Sequence, residues 1–208
     1  MRGKLIFLFG IDGSGKSTIL KMLKKNGVEN VEFTSCITNA IFEEELFQAE
    51  EKLKFSRKDY FTHEFKYVLH VNSIIYKMFN VILPLLNNGK NVVLDRYIPC
   101  VKLYADLFLE PSYKCISKAL ECLPSPDFGI YFDVEIKTAL CRLKTRSEIT
   151  GIPLHFSESE KSLVMKKVGY EAMFPYEKYT ITKIDANQEI DNVYDLVLGM
   201  LNEKCMLA

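Results

Sequence analysis

The sequence predicts an α/β fold in which helices cover both sides of a parallel sheet. Short continuous apolar runs, typical of strands buried on both faces, alternate along the chain with stretches of helical periodicity. The first of these runs ends in a glycine-rich loop that leads directly into a helix, which is an arrangement that binds phosphate. No repeat, low-complexity tract or Gly/Ser-rich linker interrupts the pattern, so we expect a single domain over residues 1–208.

The expected elements follow one another in regular alternation. Strands are predicted at about 5–9, 31–33, 91–95, 130–134 and 179–186. Helices are predicted at about 16–25, 40–54, 58–88, 99–109, 112–122, 135–148, 159–173 and 189–204. Pro84 either kinks the long helix over 58–88 or lies near its end.

The composition excludes several classes of protein. Lys+Arg and Asp+Glu both number 27, so nothing predicts general attraction to nucleic acid or to anionic membranes. The apolar run at 5–9 is too short for a signal peptide or a membrane span, and six cysteines without a CxxC pair indicate a reduced cytoplasmic protein. His63 and His70 lie seven residues apart with no third ligand, so we interpret them as residues of a helix face rather than as zinc ligands.

The glycine-rich loop has the spacing of a nucleotide-binding loop. Residues 10–18, GIDGSGKST, match the pattern GxxxxGK[ST] between a buried strand and a helix. In such loops the backbone N–H groups surround phosphate, the lysine contacts the β- and γ-phosphates and the serine hydroxyl binds Mg²⁺. The candidate nucleotide-binding residues are Gly10, Asp12, Gly13, Ser14, Gly15, Lys16, Ser17 and Thr18.

The carboxylate inside this loop is ambiguous from sequence. Asp12 would repel a bound nucleotide, so some role must offset that cost. It either contacts Mg²⁺ through water or an acceptor hydroxyl, or it is a solvated loop residue.

A charged pair follows the strand predicted at 91–95. Asp95 and Arg96 stand at the carboxyl end of that strand, where parallel sheets bind ligands. Asp95 would hold Mg²⁺ through water or accept a proton, and Arg96 would clamp the transferring phosphoryl group. The alternative is a simple surface turn.

Two arginines lie four residues apart in the helix that leads to a polar segment suited to being a lid, at about 146–158. Arg142 and Arg146 would then share one helix face, and a lid arginine stabilises charge on the γ-phosphate. A solvated helix face remains the alternative interpretation.

The chain resembles the thymidylate kinase family over nearly its whole length. The resemblance is carried by FGIDGSGKST, ILPLLNNGKNVVLDRY, PDFGIYFDV, ALCRLKTRSE, GYEAM and KIDANQEIDNVYDLVLGML. It implies a three-layer P-loop kinase fold with a five-stranded parallel sheet and a short lid. It also implies Mg²⁺-dependent transfer of the γ-phosphoryl group of ATP to thymidine monophosphate, commonly by a homodimer.

The resemblance also implies roles for individual residues. Asp12 would lie near the acceptor sugar, Arg142 would belong to the lid and Asn187 would lie near adenine. The lid, rather than the loop, would deliver the catalytic arginine, as in the bacterial subtype. The implied catalytic residues are Lys16, Asp95, Arg96, Arg146 and Asp12, and the implied metal-binding residues are Ser17 and Asp95.

The chain departs from the family where the acceptor binds. The phrase FTSCITNA carries Ser35 and Cys36 where relatives carry an arginine, and LHF replaces the usual DRF of the lid. Aligned backwards from Pro84, the long helix has Ile74 and Tyr76 where relatives carry arginine and glutamine. Losing a bidentate arginine leaves its partner unpaired, and a lysine substitutes only a point charge.

Arg57 and Lys66 are candidates to compensate for these missing arginines. We therefore hold three hypotheses: a kinase of a nucleoside monophosphate such as thymidylate, a kinase of a nucleoside or other small hydroxyl compound, and an ATP-binding regulator without turnover.

Overall fold

A computed structural model describes residues 2–35, 48, 51–52, 54 and 62–206. Its sheet has five strands in the order β2-β3-β1-β4-β5, and all neighbours are parallel. This confirms the predicted fold class, although the second strand runs two residues further than expected. The strands are β1 (Leu5–Phe9), β2 (Val31–Ser35), β3 (Asn91–Asp95), β4 (Phe128–Asp133) and β5 (Thr180–Asp185).

The helices follow the predicted order. The α-helices are α1 (Lys16–Asn26), α2 (His63–Lys77), α3 (Leu83–Asn87), α4 (Ile98–Phe108), α5 (Pro111–Lys114), α6 (Ile136–Thr150), α7 (Glu160–Met173) and α8 (Ile190–Met206). Short 3₁₀ turns cover Cys115–Cys122, Phe156–Glu158 and Phe174–Tyr176. The helix predicted over 112–122 is therefore α-helical only at its start. Most of the helix predicted over 40–54 lies outside the described residues.

The core surrounds the central strand. Every residue of β1 is at most 2% exposed, because helices cover both faces of the sheet. The end of β1 and the end of β3 are neighbours, with Leu8 paired to Asp95. The loops that follow these two strands therefore meet at one edge of the sheet, where a ligand is expected.

The long helix contains a π-helical segment, Met78–Ile82, between α2 and α3. The N–H of Leu83 donates to the carbonyl of Met78, five residues earlier. Pro84 has no N–H and its ring clashes with a regular α-helical turn, so the wider π turn directly before it accommodates the proline inside the helix.

The stretch His63–Asn87 is long and apolar enough to cross a membrane by length and composition, since an 18-residue window within it has a mean hydropathy of 1.4. One face of it packs into the core, where Tyr67, Val71, Ile74, Met78 and Ile82 are at most 2% exposed. A single such helix is weak evidence for a membrane span, and our expectation of a protein without membrane association stays a prediction.

Candidate active site

The glycine-rich loop connects β1 to α1 and requires glycine for steric reasons. Gly13 and Gly15 have φ angles of 79° and 90°, in the left-handed region that favours glycine. A Cβ atom on Gly13 would lie 2.5 Å from the carbonyl oxygen of Ala139 in α6. The loop is thus packed tightly against α6 and turns directly into the first turn of α1, whose free N–H groups favour an anion.

Lys16 is folded over this loop. It is 4% exposed, and its Nζ donates to the carbonyl of Ile11 at 2.7 Å and to Ser14 Oγ at 2.8 Å. Burial, together with the positive charge of Arg96, lowers the pKa of Lys16 to about 8. The loop therefore holds its lysine close to its own backbone, at the place where an anion would restore full protonation.

The residues predicted to bind Mg²⁺ occupy neighbouring elements. Ser17 lies exposed in the first turn of α1, and Asp95 ends β3 beside β1. Among the described residues, Asp95 Oδ1 is buried without a hydrogen-bond donor. A hydroxyl and an unsatisfied carboxylate oxygen are ligands that Mg²⁺ prefers, so this donor set fits the ion.

Arg96 has an uncommon backbone conformation. Its φ is 65°, in the left-handed region that non-glycine residues seldom adopt and that is often found at functional sites. Its N–H donates to the carbonyl of Leu8 at 2.9 Å, and its guanidinium donates to Asp12 Oδ1. The strained turn after β3 thus aims the guanidinium at the phosphate loop, rather than forming a simple surface turn.

Asp12 is the centre of an ion-pair cluster, which we call the Asp12 cluster: Asp12, Arg96 and Lys166. Its second oxygen, Oδ2, accepts from Lys166 Nζ at 2.5 Å. Burial alone would raise the pKa of Asp12, but the charges of Arg96, Lys166 and Lys16 outweigh burial and lower it well below its usual range. Asp12 is therefore ionised and paired, and the interpretation as a solvated loop residue is wrong.

The two arginines of α6 have different partners, although they lie four residues apart. Arg142 Nη1 donates to the carbonyl of Ala186 at 3.0 Å, in the loop after β5. Arg146 Nη2 donates to both carboxylate oxygens of Glu158, at 2.8 and 2.9 Å. Residues 146–150 belong to α6, so the lid segment between α6 and α7 is 151–159.

Asn187 connects two loops at the same edge of the sheet. Its Oδ1 accepts from the backbone N–H of Glu135 at 2.9 Å, after β4. Its own Nδ2 donates to Asp185 Oδ1 at 2.7 Å, at the end of β5. The family resemblance implied a position for Asn187 near adenine, and its contacts fix the shape of this loop beside Arg142.

A cavity of about 310 Å³ opens beside the Asp12 cluster. It has the size of a small-molecule site. It lies between α2, α4, α7 and the lid segment. Its lining residues are Asp12, His63, Lys66, Tyr67, His70, Arg96, Cys100, Val101, Leu103, Tyr104, His155, Ser157, Lys166 and Tyr170.

The helix face predicted from sequence differs from the one that lines the cavity. Ile74 is fully buried and Tyr76 is 50% exposed, and neither lines the cavity. Instead the first half of α2 contributes His63, Lys66 and His70. Both histidines thus lie on the helix face that lines the cavity, together with Lys66, one of the two candidates to compensate for the missing arginines. Arg57 and Cys36 lie outside the described residues.

The lid contributes a further histidine. The rings of His63 and His155 are 6.0 Å apart, and the ring of Phe156 lies 4.7 Å from that of His63. Burial, and then the proximity of His63, lower the pKa of His155. The lowered pKa favours the neutral form of His155, whose ring lies beside that of His63 at the cavity.

Sequence reasoning missed Lys166, although a signal for it exists. Leu163, Lys166 and Tyr170 form the buried stripe of α7, with 0%, 6% and 2% exposure. A lysine at an apolar position of a helix stripe requires a buried anion as its partner. That signal marks Lys166 as a candidate, but it does not identify Asp12 as the partner. Cys100, Tyr104 and Tyr170 carry no such signal.

Comparisons with known proteins agree on one family. The family model described as Thymidylate kinase matches residues 9–197. A thymidylate kinase of Ligilactobacillus salivarius is 29% identical over 210 residues, which cover 97% of this chain and 99% of that protein. A probable thymidylate kinase of Methanosarcina mazei is 33% identical over 156 residues, which cover 72% of this chain and 74% of that protein.

A solved structure shows the same fold. The thymidylate kinase of Candida albicans aligns with a TM-score of 0.67 at 19% identity, covering 98% of this chain and 92% of the other. The family match spans the phosphate loop, both arginines of α6 and the loop after β5. Together with the parallel sheet and the complete loop, it leads to one conclusion: the chain belongs to the thymidylate kinase family and is a nucleotide kinase.

Proposed function

We propose that the protein transfers the γ-phosphoryl group of Mg²⁺-ATP to a nucleoside monophosphate such as thymidylate. The observation that carries the proposal is the position of Asp12. This residue belongs to the phosphate loop and also lines the cavity, so the donor and acceptor sites meet at one ion-pair cluster. A reaction between two bound substrates requires such adjacency, because transfer needs the reacting atoms about 3 Å apart.

The residues at this junction suit the charge that develops during transfer. Lys16 and Arg96 are fixed cations beside the loop, and preorganised cations stabilise the transferring phosphoryl group. Asp12 orients Arg96 and, as an ionised acceptor, receives a hydrogen bond from the incoming substrate. Arg146 is now paired with Glu158, and it would exchange this partner for the donor phosphates as the lid closes.

The loops at this edge of the sheet support ATP as the phosphoryl donor. The amides of residues 10–15 and the first turn of α1 would hold the phosphates, with Thr18 exposed beside Ser17. Arg142 and Asn187 would border the adenine. Ser17 and Asp95 would hold Mg²⁺, which supplies charge neutralisation and orientation of the phosphates when it is bound.

The charge of the cavity supports an anionic acceptor. Among the described lining residues, Lys66, Arg96 and Lys166 carry positive charge and Asp12 alone carries negative charge. A nucleoside monophosphate neutralises this excess, whereas a nucleoside leaves it unbalanced. A different acceptor remains the second candidate, because the α2 side of the cavity offers lysine and histidine rather than the planar fork of an arginine.

The test is ADP release from Mg²⁺-ATP with single acceptors: thymidylate, the other nucleoside monophosphates, and the nucleosides. We expect turnover with a monophosphate and none with the corresponding nucleoside. Lys16→Ala should abolish turnover, while Lys21→Ala, an exposed lysine of the same helix, should leave it unchanged. Turnover retained in Lys16→Ala, or ADP release with nucleosides alone, would contradict the proposal.

A homodimer is a further expectation from the family resemblance, and a cytoplasmic location is an expectation from the short apolar run and the cysteine usage. Sedimentation velocity of the purified chain measures the first directly. A monomer at micromolar concentration would contradict it.

A further inference from the structure

We infer that Lys166 is a positioning residue that fastens the lid segment to the phosphate loop and so holds Asp12 at the entrance of the acceptor cavity. The Nζ of Lys166 donates to Asp12 Oδ2 at 2.5 Å and to the carbonyl oxygen of Ser157 at 2.9 Å. It thereby joins the phosphate loop to the lid through one atom. The part of this inference that concerns the acceptor rests on the proposed function.

The surroundings of Lys166 explain why a charge is stable at a buried position. Its side chain is 8% exposed, and its Nζ lies 5.6 Å from the ring centroid of Phe108. An ammonium group removed from water requires an anion and a polar acceptor, which Asp12 and Ser157 supply, and the ring face adds attraction. Without Lys166, the Ser157 carbonyl would lose this donor and Asp12 would keep only Arg96.

The other hydrogen bonds of the lid lie within it or join it to its flanking helices, and its rings contact His63 of α2 and Phe108 of α4. Glu158 accepts from Arg146 of α6 and from the backbone of His155 within the lid. The carbonyl of Phe156 accepts from Ser162 Oγ of α7. Among the contacts of the described residues, Lys166 is the one that reaches from the lid backbone to the phosphate loop.

This arrangement couples the order of the lid to the acceptor rather than to the nucleotide. Lys166 lines the cavity together with Asp12 and Ser157, so its loss changes the acceptor side of the site. Lys16 has its own partners in the loop, Ile11 and Ser14, and these contacts do not involve Lys166. Loss of Lys166 should therefore weaken capture of the acceptor and leave ATP binding nearly unchanged.

The experiment compares Lys166→Met with Lys167→Met, the neighbouring lysine, which pairs with Asp133 away from the cavity. Hydrogen exchange of the ligand-free protein reports the lid, and steady-state kinetics report both substrates. In Lys166→Met we expect amide exchange over 151–159 to be at least about fivefold faster. The KM for the acceptor should rise about tenfold while the KM for ATP stays within about twofold.

Lys167→Met should leave lid exchange and both KM values at their wild-type levels. Lys166→Arg keeps the charge, so its KM for the acceptor should lie close to the wild-type value. If Lys166→Met fails to fold, Lys166→Gln keeps a donor for Ser157 without the charge and serves in its place.

Unchanged exchange over 151–159 in Lys166→Met would show that Lys166 does not fasten the lid to the phosphate loop. An equal rise in both KM values would show that its effect is not selective for the acceptor. If the wild-type protein shows no turnover with any acceptor, the proposed function fails. The exchange measurement then still supports or overturns the role of Lys166 in holding the lid.

Discussion

Two carboxylates at the same edge of the sheet each bind two cations, yet their environments differ. Asp12 pairs with Arg96 and Lys166, and its side chain is 18% exposed. Asp133, at the end of β4, pairs with Lys167 at 2.6 Å and with Lys183 at 3.0 Å, and Lys183 is 50% exposed. Lys183 also reaches Glu171, so the second network extends into solvent.

The difference lies in the direction of two successive residues. Lys166 and Lys167 are neighbours on α7, about 100° apart around the helix axis. One points into the cavity and the other towards the end of β4. The two pairs therefore differ in place: that of Lys166 lines the cavity, and that of Lys167 joins α7 to the sheet beside the half-exposed Lys183.

The largest expected effect separates the two carboxylates directly. Asp12→Asn leaves Arg96 and Lys166 as uncompensated neighbouring charges, so we expect the free energy of unfolding to fall by about 2 kcal/mol. Asp133→Asn should cost less than about 1 kcal/mol, because one of its two partners, Lys183, is half exposed and stays hydrated. Urea denaturation of both variants measures this. Equal losses would show that the two networks are energetically alike.

Acid should reduce the difference in stability between the wild type and Asp12→Asn. The folded-state pKa of Asp12 lies below its ordinary value of 3.8, so its contribution is complete above about pH 5 and is lost as pH falls through the folded pKa. The difference in unfolding free energy between the two proteins should therefore shrink from pH 7 to pH 3. A difference that stays constant over this range would mean that Asp12 is not stabilised as an anion.

Base should reveal the third cation near Asp12. The pKa of Lys16 is lowered from 10.5 to about 8, so the unfolded chain binds the extra proton between these values. Stability from this group therefore rises with pH over that window. We therefore expect the unfolding free energy of the wild type, relative to that of Lys16→Met, to increase between pH 8 and pH 10. Parallel curves would contradict the depressed pKa.

The smallest expected effect concerns salt. Lys183→Met should cost at most about 0.5 kcal/mol at low ionic strength, and the cost should vanish near 1 M NaCl because exposed pairs are screened. Lys166→Met should keep most of its cost in salt, since its partner is shielded from solvent. Thermal unfolding at two ionic strengths measures the loss of stability in each variant. If high salt abolished the loss in Lys166→Met as well as in Lys183→Met, this prediction would be wrong.

The sheet and the phosphate loop were predictable from local patterns. Strands such as β3 are unbroken apolar runs, and the loop at 10–18 has a spacing that steric demands at Gly13 and Gly15 enforce. The Asp12 cluster was not predictable, because residues 12, 96 and 166 meet only after the chain has folded. The part of α2 that lines the cavity was not predictable either, because His63, Lys66 and His70 precede Ile74 by at least four residues and meet the lid and α7 only in the folded chain.

The π segment Met78–Ile82 has a consequence for comparing this protein with its relatives. An extra residue absorbed in one helical turn rotates everything before it by about 100° relative to everything after it. The residues before and after this turn therefore belong to two helical registers. His63, Lys66 and His70 belong to the first, and the residues that follow Pro84 belong to the second. Against a relative whose helix lacks this wider turn, an alignment anchored at the proline would displace the lining residues by one position, whereas an alignment anchored at α2 would keep them in register.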